Sequence, residues 1–453
     1  MTYFATGFQI LLVVAGILVA RAAITTARTP QGAAAWVVFL VSFPLLAIPT
    51  FAVFGGVSRL NQARDDRHVR DERGDDAEGR LSALREVTDV PLRDGNDLRL
   101  LVDGRATFDA IFAAIDAAEH EVLVQFYIIR SDRIGRALQA RLIAAAARGV
   151  RVRVLCDLVG SLLLGRRYTR KLQRAGVEIR GIPGPHRALG RIGLNFRNHR
   201  KTVVVDGWTG FIGGLNVGDE YLDGGRWFSA WRDTHLEARG PMAGQLRDIF
   251  AADWEAVTDE RIGPPTTPAP EPRPGGRRGL VTDFGPTDRL ERGSLLLCGL
   301  AGLAQRRLWI ATPYLVPHAD LLTALQLAAL RGVDVRILIP GPADRRLVWY
   351  ASRSHVPMLR AVGIEVLEYQ PGFMHQKVML VDDDVASVGT ANLDIRSALL
   401  NFEATALVED RDFAREVETM LARDFAQSRT LSEPMPAHVR LLAPVARLFG
   451  PLL

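Results

Sequence analysis

The sequence predicts two α/β domains related by internal duplication, sharing one active site and preceded by a two-helix transmembrane hairpin. Three observations lead there. Two long uncharged apolar runs open the chain, strand and helix patterns alternate twice in the same order after residue 90, and a set of chemistry-bearing residues recurs at a constant offset.

Taken in order, the first apolar run is Phe4 to Ala20, 17 residues, and the second is Ala33 to Gly55, 23 residues. Each is near the ~20 residues that cross a bilayer as helix. A cleaved signal peptide fits poorly, because no basic segment precedes the first run and a second run follows at once. Residues 1–57 are therefore expected to be the membrane anchor. The loop between the runs carries Arg21 and Arg28, whereas Arg59, Arg64, Arg67, Arg70 and Arg73 crowd just beyond the second. That bias places both termini and everything after residue 57 on the cytoplasmic side of the membrane. Residues 58–90, with Asp and Glu between the arginines, form a charged juxtamembrane linker.

At 453 residues the chain exceeds one ordinary core. A first domain, 91–260, takes the strand-like EVLVQFYII, VRVRVLCDLV, VEIRGI, TVVVD, TGFIGG and THLEARG. A second, 281–453, takes LWIATPYLV, VDVRILIP, IEVLEY, VMLVD, ASVGT and ATALVE in the same order. Amphipathic segments lie between the strands and one closes each pass, QLRDIFAADWEAV and FAREVETMLARDF. The Pro/Gly-rich stretch at 261–280 reads as a linker. Net charge is +5, which tolerates an anionic partner without naming one. Two cysteines, Cys156 and Cys298, are read as reduced thiols and suggest neither a disulfide framework nor a zinc site.

Of 56 basic residues only three are lysine, Lys171, Lys201 and Lys377. Two of them follow a histidine by two positions, in HRKTVVVD and HQKVMLVD. With nine histidines in the chain, chance gives about 0.06 such pairs. His199 to His375, Lys201 to Lys377, Asp206 to Asp382 and Asn216 to Asn392 are each 176 residues apart. On a strand, i and i+2 share a face, so each His/Lys pair can reach one ligand. A compact ammonium fits beside an imidazole better than a forked guanidinium. Asp206 and Asp382 stand where a hairpin turns, which gives a structural role at least equal standing with a catalytic one. Asn216 and Asn392 close small-residue turns and are candidates to bind substrate oxygens. Asp233 in WRDTH and Glu403 in NFEAT are candidates to hold the second nitrogen of a working histidine.

These paired motifs, each followed by GGLN or GTAN, resemble the phospholipase D superfamily. FRNHRKTVVVDG, FIGGLNVGDEY, WRDTHL, HQKVMLVDD, GTANLDIRS and NFEA, behind the apolar N-terminus, resemble bacterial cardiolipin synthases in particular, through essentially the whole chain. The resemblance implies two phospholipase D-like α/β domains and a membrane-bound phosphatidyltransferase. It implies that two phosphatidylglycerol molecules become cardiolipin and glycerol through a phosphohistidine, with no metal or other cofactor. His199 is then expected as nucleophile and His375 as acid and base, the reverse being chemically reasonable, with Lys201, Lys377, Asn216 and Asn392 on the phosphoryl oxygens. Phosphatidylglycerol and anionic lipids are the implied partners; a nucleic acid fits a membrane hairpin poorly.

Other readings stay open. Water or a different alcohol could take the phosphatidyl group, making the chain a phospholipase D hydrolase or another transphosphatidylase, and a silent membrane scaffold is the alternative of another class. The basic segment around RRYTRKLQR reads either as solvated surface or as contact with an anionic leaflet. Tyr127, Tyr314 and His318 are candidates to line the cleft, and His235 shares a strand face with Asp233. The apolar tail HVRLLAPVARLFGPLL either lies on a membrane or packs on its domain.

Overall fold

The structure is a computed structural model that describes residues 2–26, 30–54, 79–182, 196–225, 228–269, 273–288, 290–431 and 435–450. The arginine-rich segment used for orientation, and most of the predicted 58–90 linker, lie outside these residues. The chain separates into two compact units, one built on the N-terminal helices and one holding both α/β halves.

In the first unit the helices are α1 (Thr2–Thr26), α2 (Pro30–Ser42) and α3 (Pro44–Phe54). The expected two-helix hairpin is thus corrected to three helices. Pro44 has no N–H to continue the ladder, so the second apolar run breaks at Phe43. Trp36 and Phe51 meet edge-on at 5.1 Å and hold α2 to α3. Among the described residues no helix is long and apolar enough to cross a membrane.

The second unit is organised by one continuous sheet. Its first half supplies β1 (Arg93–Val102), β2 (Glu121–Phe126), β3 (Arg151–Asp157) and β4 (Glu178–Ile182). There follow β5 (Arg197–Asn198), β6 (Thr202–Val205), β7 (Thr209–Gly213), β8 (Trp231–Arg232) and β9 (Thr234–Arg239). The second half supplies β10 (Arg277–Phe284), β11 (Arg307–Ala311), β12 (Leu315–Val316), β13 (Asp334–Pro340), β14 (Glu365–Tyr369) and β15 (Phe373–Met374). It ends with β16 (Val378–Val381), β17 (Val385–Gly389), β18 (Leu393–Asp394), β19 (Asn401–Glu409) and β20 (Ser428–Thr430).

The sheet runs β20-β14-β13-β11-β16-β17-β19-β10-β1-β9-β7-β6-β2-β3-β4. Read outward from the antiparallel β1/β10 seam, the order in one half repeats in the other, with β20 added at one edge. Sequence reading missed both seam strands. It also ended the 261–280 linker inside β10, which begins at Arg277.

Alternation places the side chains. Val203 and Val205 pack into one core with Phe108 and Leu138, while Val204 between them faces Leu246 and Trp254. Helices Pro241–Thr258 and Arg411–Ala426, one closing each half, pack on that second face around the seam, where Phe250 and Phe413 belong to one buried cluster. The same parity carries His199 and Lys201 onto the face of Val203, and His375 and Lys377 onto the face of Met379.

Candidate active site

Each histidine reaches across to the opposite half. Glu403, on β19, brings Oε1 and Oε2 to 2.9 and 3.0 Å from His199 Nδ1. Asp233, between β8 and β9, brings Oδ2 to 2.8 Å from His375 Nδ1. Both carboxylates are completely buried. Two short elements set these approaches. The His199 N–H donates to the Phe402 carbonyl, and the His375 N–H to that of Arg232, where β8 and β15 pair in parallel. The small residue in GGLN is a steric requirement, since a Cβ on Gly214 would lie 2.0 Å from Asp233 Oδ1.

The lysines are buried beside the histidines. Lys201 Nζ donates to the His199 carbonyl at 2.6 Å. Lys377 Nζ donates to the His375 carbonyl at 2.5 Å and sits 3.0 Å from His375 Nδ1. All four groups lie within electrostatic reach of one another, so the two motifs form one pocket. Burial lowers Lys201 to about 7 and Lys377 to about 8, with Lys377 adding to the depression of Lys201. Burial also lowers His199 to about 4 against the pull of Glu403, and holds His375 well below its ordinary value with Lys377 and Lys201 adding to the effect. Burial is the first cause of all four shifts, and an anion bound among these groups would oppose each of them.

Asp206 and Asp382 are brought to the turns, away from the histidines. Each lies at positive φ, 50° and 54°, just past β6 or β16. Asp206 accepts backbone N–H groups of Glu119, His120 and Glu121 at 2.7–3.0 Å. Asp382 accepts those of Gln305, Arg306 and Arg307 and takes Arg80 Nη2 at 2.7 Å. The structure gives both a hairpin-holding geometry and does not bring them to the pocket. Five residues of strand beyond the lysine amount to roughly 16 Å.

Asn216 donates to Tyr221 Oη at 3.1 Å and accepts from the Ile128 N–H. Asn392 donates to Asp394 at 3.0 Å, while its side-chain oxygen is buried with no hydrogen-bond partner among the described residues. The Tyr127 ring packs edge-on against His199 at 5.1 Å. Tyr314 bonds Asp344, and His318 pairs with Asp320 at 2.5 Å. His235 is buried and lowered to about 4 by burial. Among the described residues no group of three or more His, Cys, Asp or Glu is placed to hold a metal ion.

Sequence reading missed the layer beneath the pocket. Arg200, fully buried, binds Asp253 at 2.5 Å and also Asp283, and donates to the Glu403 carbonyl. In the other half Arg232 grips Asp424 at 2.9 and 2.8 Å, and Gln376 bonds the same carboxylate. One signal was available: both closing helices carry alanine, any residue, aspartate, aromatic, as AADW and ARDF.

A duplicated α/β unit with two cross-braced His/Lys pairs defines a phospholipase D-like protein. The family described as "Cardiolipin synthase, PLD-like domain" matches residues 111–254 and 297–425, and the chain belongs to it. It is 43% identical to "Cardiolipin synthase A" of Pseudomonas putida (strain W619), over 97% of this chain and 96% of that protein. It is 42% identical to "Cardiolipin synthase A" of Pseudomonas aeruginosa (strain LESB58), over 99% of this chain and 95% of that one. Among solved structures, the phosphatidylserine synthase of Haemophilus influenzae Rd KW20 superposes with TM-score 0.61 at 15% identity, over 83% of this chain and all of the other. The polyphosphate kinase of Porphyromonas gingivalis gives 0.52 at 15%, over 78% and 53%. At such identities these two likenesses show the fold alone.

Proposed function

We propose that this protein is a membrane-bound phosphatidyltransferase that makes cardiolipin and glycerol from two molecules of phosphatidylglycerol. The observation that carries the chemistry is the crossed bracing, His199 on Glu403 and His375 on Asp233. Each imidazole keeps Nδ1 on a carboxylate and so presents Nε2 to a substrate.

In the first step His199 Nε2 attacks phosphorus. An N–P bond forms, the bond from phosphorus to the glycerol headgroup oxygen breaks, and His375 gives its Nε2 proton to that oxygen. In the second step His375 takes the proton from a hydroxyl of the incoming phosphatidylglycerol, the oxygen attacks phosphorus, and the N–P bond breaks. Lys201 and Lys377 meet charge building on the non-bridging oxygens, joined by an N–H of Asn216 and of Asn392. The phosphodiester anion brings negative charge among these buried groups. Its arrival raises both lysines and the histidine that must be protonated.

The N-terminal helices are the proposed anchor in the plasma membrane. Ile10, Leu11, Val13, Ile17, Leu18 and Val41 are all exposed, an arrangement that lipid would cover. The arginine bias of the sequence proposes cytoplasmic catalytic halves.

The test is to supply the membrane-embedded protein with phosphatidylglycerol alone and follow the lipids by mass spectrometry. Cardiolipin with stoichiometric glycerol is expected. Phosphatidic acid without cardiolipin would make the chain a hydrolase, and no product at all would make it a scaffold.

A further inference from the structure

Two exposed apolar strips in the α/β unit take no part in the chemistry above. The first is the turn after β3, where Leu158 and Val159 are exposed and Leu162 and Leu163 stand 76% and 80% exposed. This turn is clamped. Asp157 Oδ1 accepts the N–H groups of Val159 and Gly160 at 2.9 Å, while its Oδ2 accepts that of Asn198, next to His199. Ser161 Oγ donates to the Tyr127 carbonyl at 3.0 Å, and a Cβ on Gly160 would lie 2.3 Å from that oxygen. Leu164 and Tyr168 bury the far end. A turn fixed this firmly holds its leucines in water by construction, at a cost in hydrophobic free energy that an uncovered surface would not recover.

The second strip is the helix Ala437–Arg447 and the residues after it. Val439, Ala443 and Ala446 are buried, and Ala446 packs on Val316, Val348 and Ala351 beside Tyr314. The opposite side is apolar as well, with Leu441 and Leu448 at 72% and 79% exposed and Val445 between them. Both strips adjoin the pocket. Tyr127 packs on His199, and the Arg345 guanidinium is in electrostatic reach of Tyr127, Tyr314 and His375.

Charge selects the occupant. The helix Arg166–Arg174, which follows the first strip directly, exposes Arg166, Arg167, Arg170, Lys171 and Arg174 and contains no acid. Arg440 and Arg447 flank the second strip, and residues 437–453 contain no acid. Exposed leucines followed or flanked in the chain by cations complement an anionic lipid surface, apolar below and negative above.

We propose that the two strips and the Arg166–Arg174 helix form the face by which the α/β unit seats on an anionic phospholipid bilayer, beside the mouth of the pocket. The proposal rests on the reading of the substrate as a membrane lipid, and its test separates the two. The full chain is placed in vesicles of phosphatidylglycerol and phosphatidylcholine, and the double variant L162D/L163D is compared with the parent. Cardiolipin formation from bilayer phosphatidylglycerol should fall at least tenfold, while turnover of a short-chain phosphatidylglycerol dispersed as monomers stays within twofold. Equal activity of variant and parent on the bilayer would overturn the proposal.

Should both activities fall, a second measurement decides. The variant L163C, in a C298S background and carrying an environment-sensitive fluorophore, should be quenched by brominated phospholipids in the same vesicles. A label in an apolar setting but untouched by brominated lipid would mean a protein partner or second copy covers the strip, and a water-like spectrum would mean nothing does. Either result overturns the proposal. Quenching in a protein that makes no cardiolipin would keep the docking face and discard the activity.

Discussion

The two halves of the α/β unit supply the same side chains to the pocket and hold them differently. Glu403 is gripped by three donors: His199, the Thr390 hydroxyl at 2.5 Å and the Asn401 amide at 3.1 Å. Burial works to raise its pKa, yet His199, Lys201 and the Thr390 hydroxyl hold it below the ordinary glutamate value. Asp233 occupies the matching place with Gly214 where the other half has Thr390, and Trp231 Nε1 at 3.4 Å where it has Asn401. Burial raises Asp233, and Lys377 only partly offsets it. The lysines differ too, since Lys377 crowds His375 Nδ1 at 3.0 Å whereas Lys201 bonds the His199 carbonyl at 2.6 Å. Duplication thus kept the atoms and changed their electrostatics, as a site needs if its histidines do different jobs.

The largest expected effect treats the halves alike. Either His199→Ala or His375→Ala should lower cardiolipin formation by about 10³-fold or more, because each removes a group that forms or breaks a bond to the substrate. A variant retaining near-parental turnover by lipid mass spectrometry would end the two-histidine mechanism. Mapping the phosphorylated residue in acid-quenched protein, expected at His199, fixes which half attacks.

The next effect separates the halves. Glu403→Gln should reduce kcat by roughly 10²-fold, since an ionised and fully bonded acceptor is lost. Asp233→Asn should cost only about tenfold, because that carboxylate is the less firmly ionised of the two. Equal losses would show that the differing support has no functional weight.

How much of this was legible follows the same division. His199, Lys201 and their echoes could be read because rare residue types recurred at one offset. Asp233 and Glu403 could be named as acids for histidines. Which acid serves which histidine could not, because each partner arrives from the other half, 204 and 142 residues away. The seam strand β1 was invisible because RDGNDLRLLV mixes charge with apolar residues in no clean alternation, and its burial depends on β9 and β10 beside it. Apolarity made Ala33 to Gly55 look like one helix, while the break is decided by a missing N–H at Pro44.

A pH series reads both lysines at once. With Lys201 lowered to about 7 and Lys377 to about 8, and His375 held well below its ordinary value, the part of kcat/KM that depends on the lysines is the part read above pH 7. That part should fall by up to about tenfold per unit for each lysine, as the cations that receive the phosphodiester lose their protons. Stability should move the other way. Each lysine has its folded pKa below the ~10.4 of an unfolded chain, so across pH 7 to 10 the unfolded state binds more protons and stability rises. Thermal unfolding at pH 7 and 9 checks the sign, and kcat/KM flat to pH 9 would mean the pocket holds its lysines charged without substrate.

The smallest effects belong to the two aspartates at the hairpin turns. Asp206→Asn should cost about 1–2 kcal/mol of stability, since its carboxylate collects three backbone N–H groups and an amide cannot accept them all. Asp382→Asn should cost more, because Arg80 is also released; Arg80 and the N–H groups of residues 305 to 307 hold Asp382 below the ordinary range against the effect of burial. A depressed folded pKa means that stability is present at neutral pH and lost as pH falls through the folded value, so the gap between the variants should close in acid. Turnover of either variant at 25 °C should stay within about twofold of the parent, because neither carboxylate is near the histidines. If Asp206→Asn abolished turnover without moving the melting temperature, the aspartate would be a working part of the motif and the division between pocket and turn would have to be redrawn.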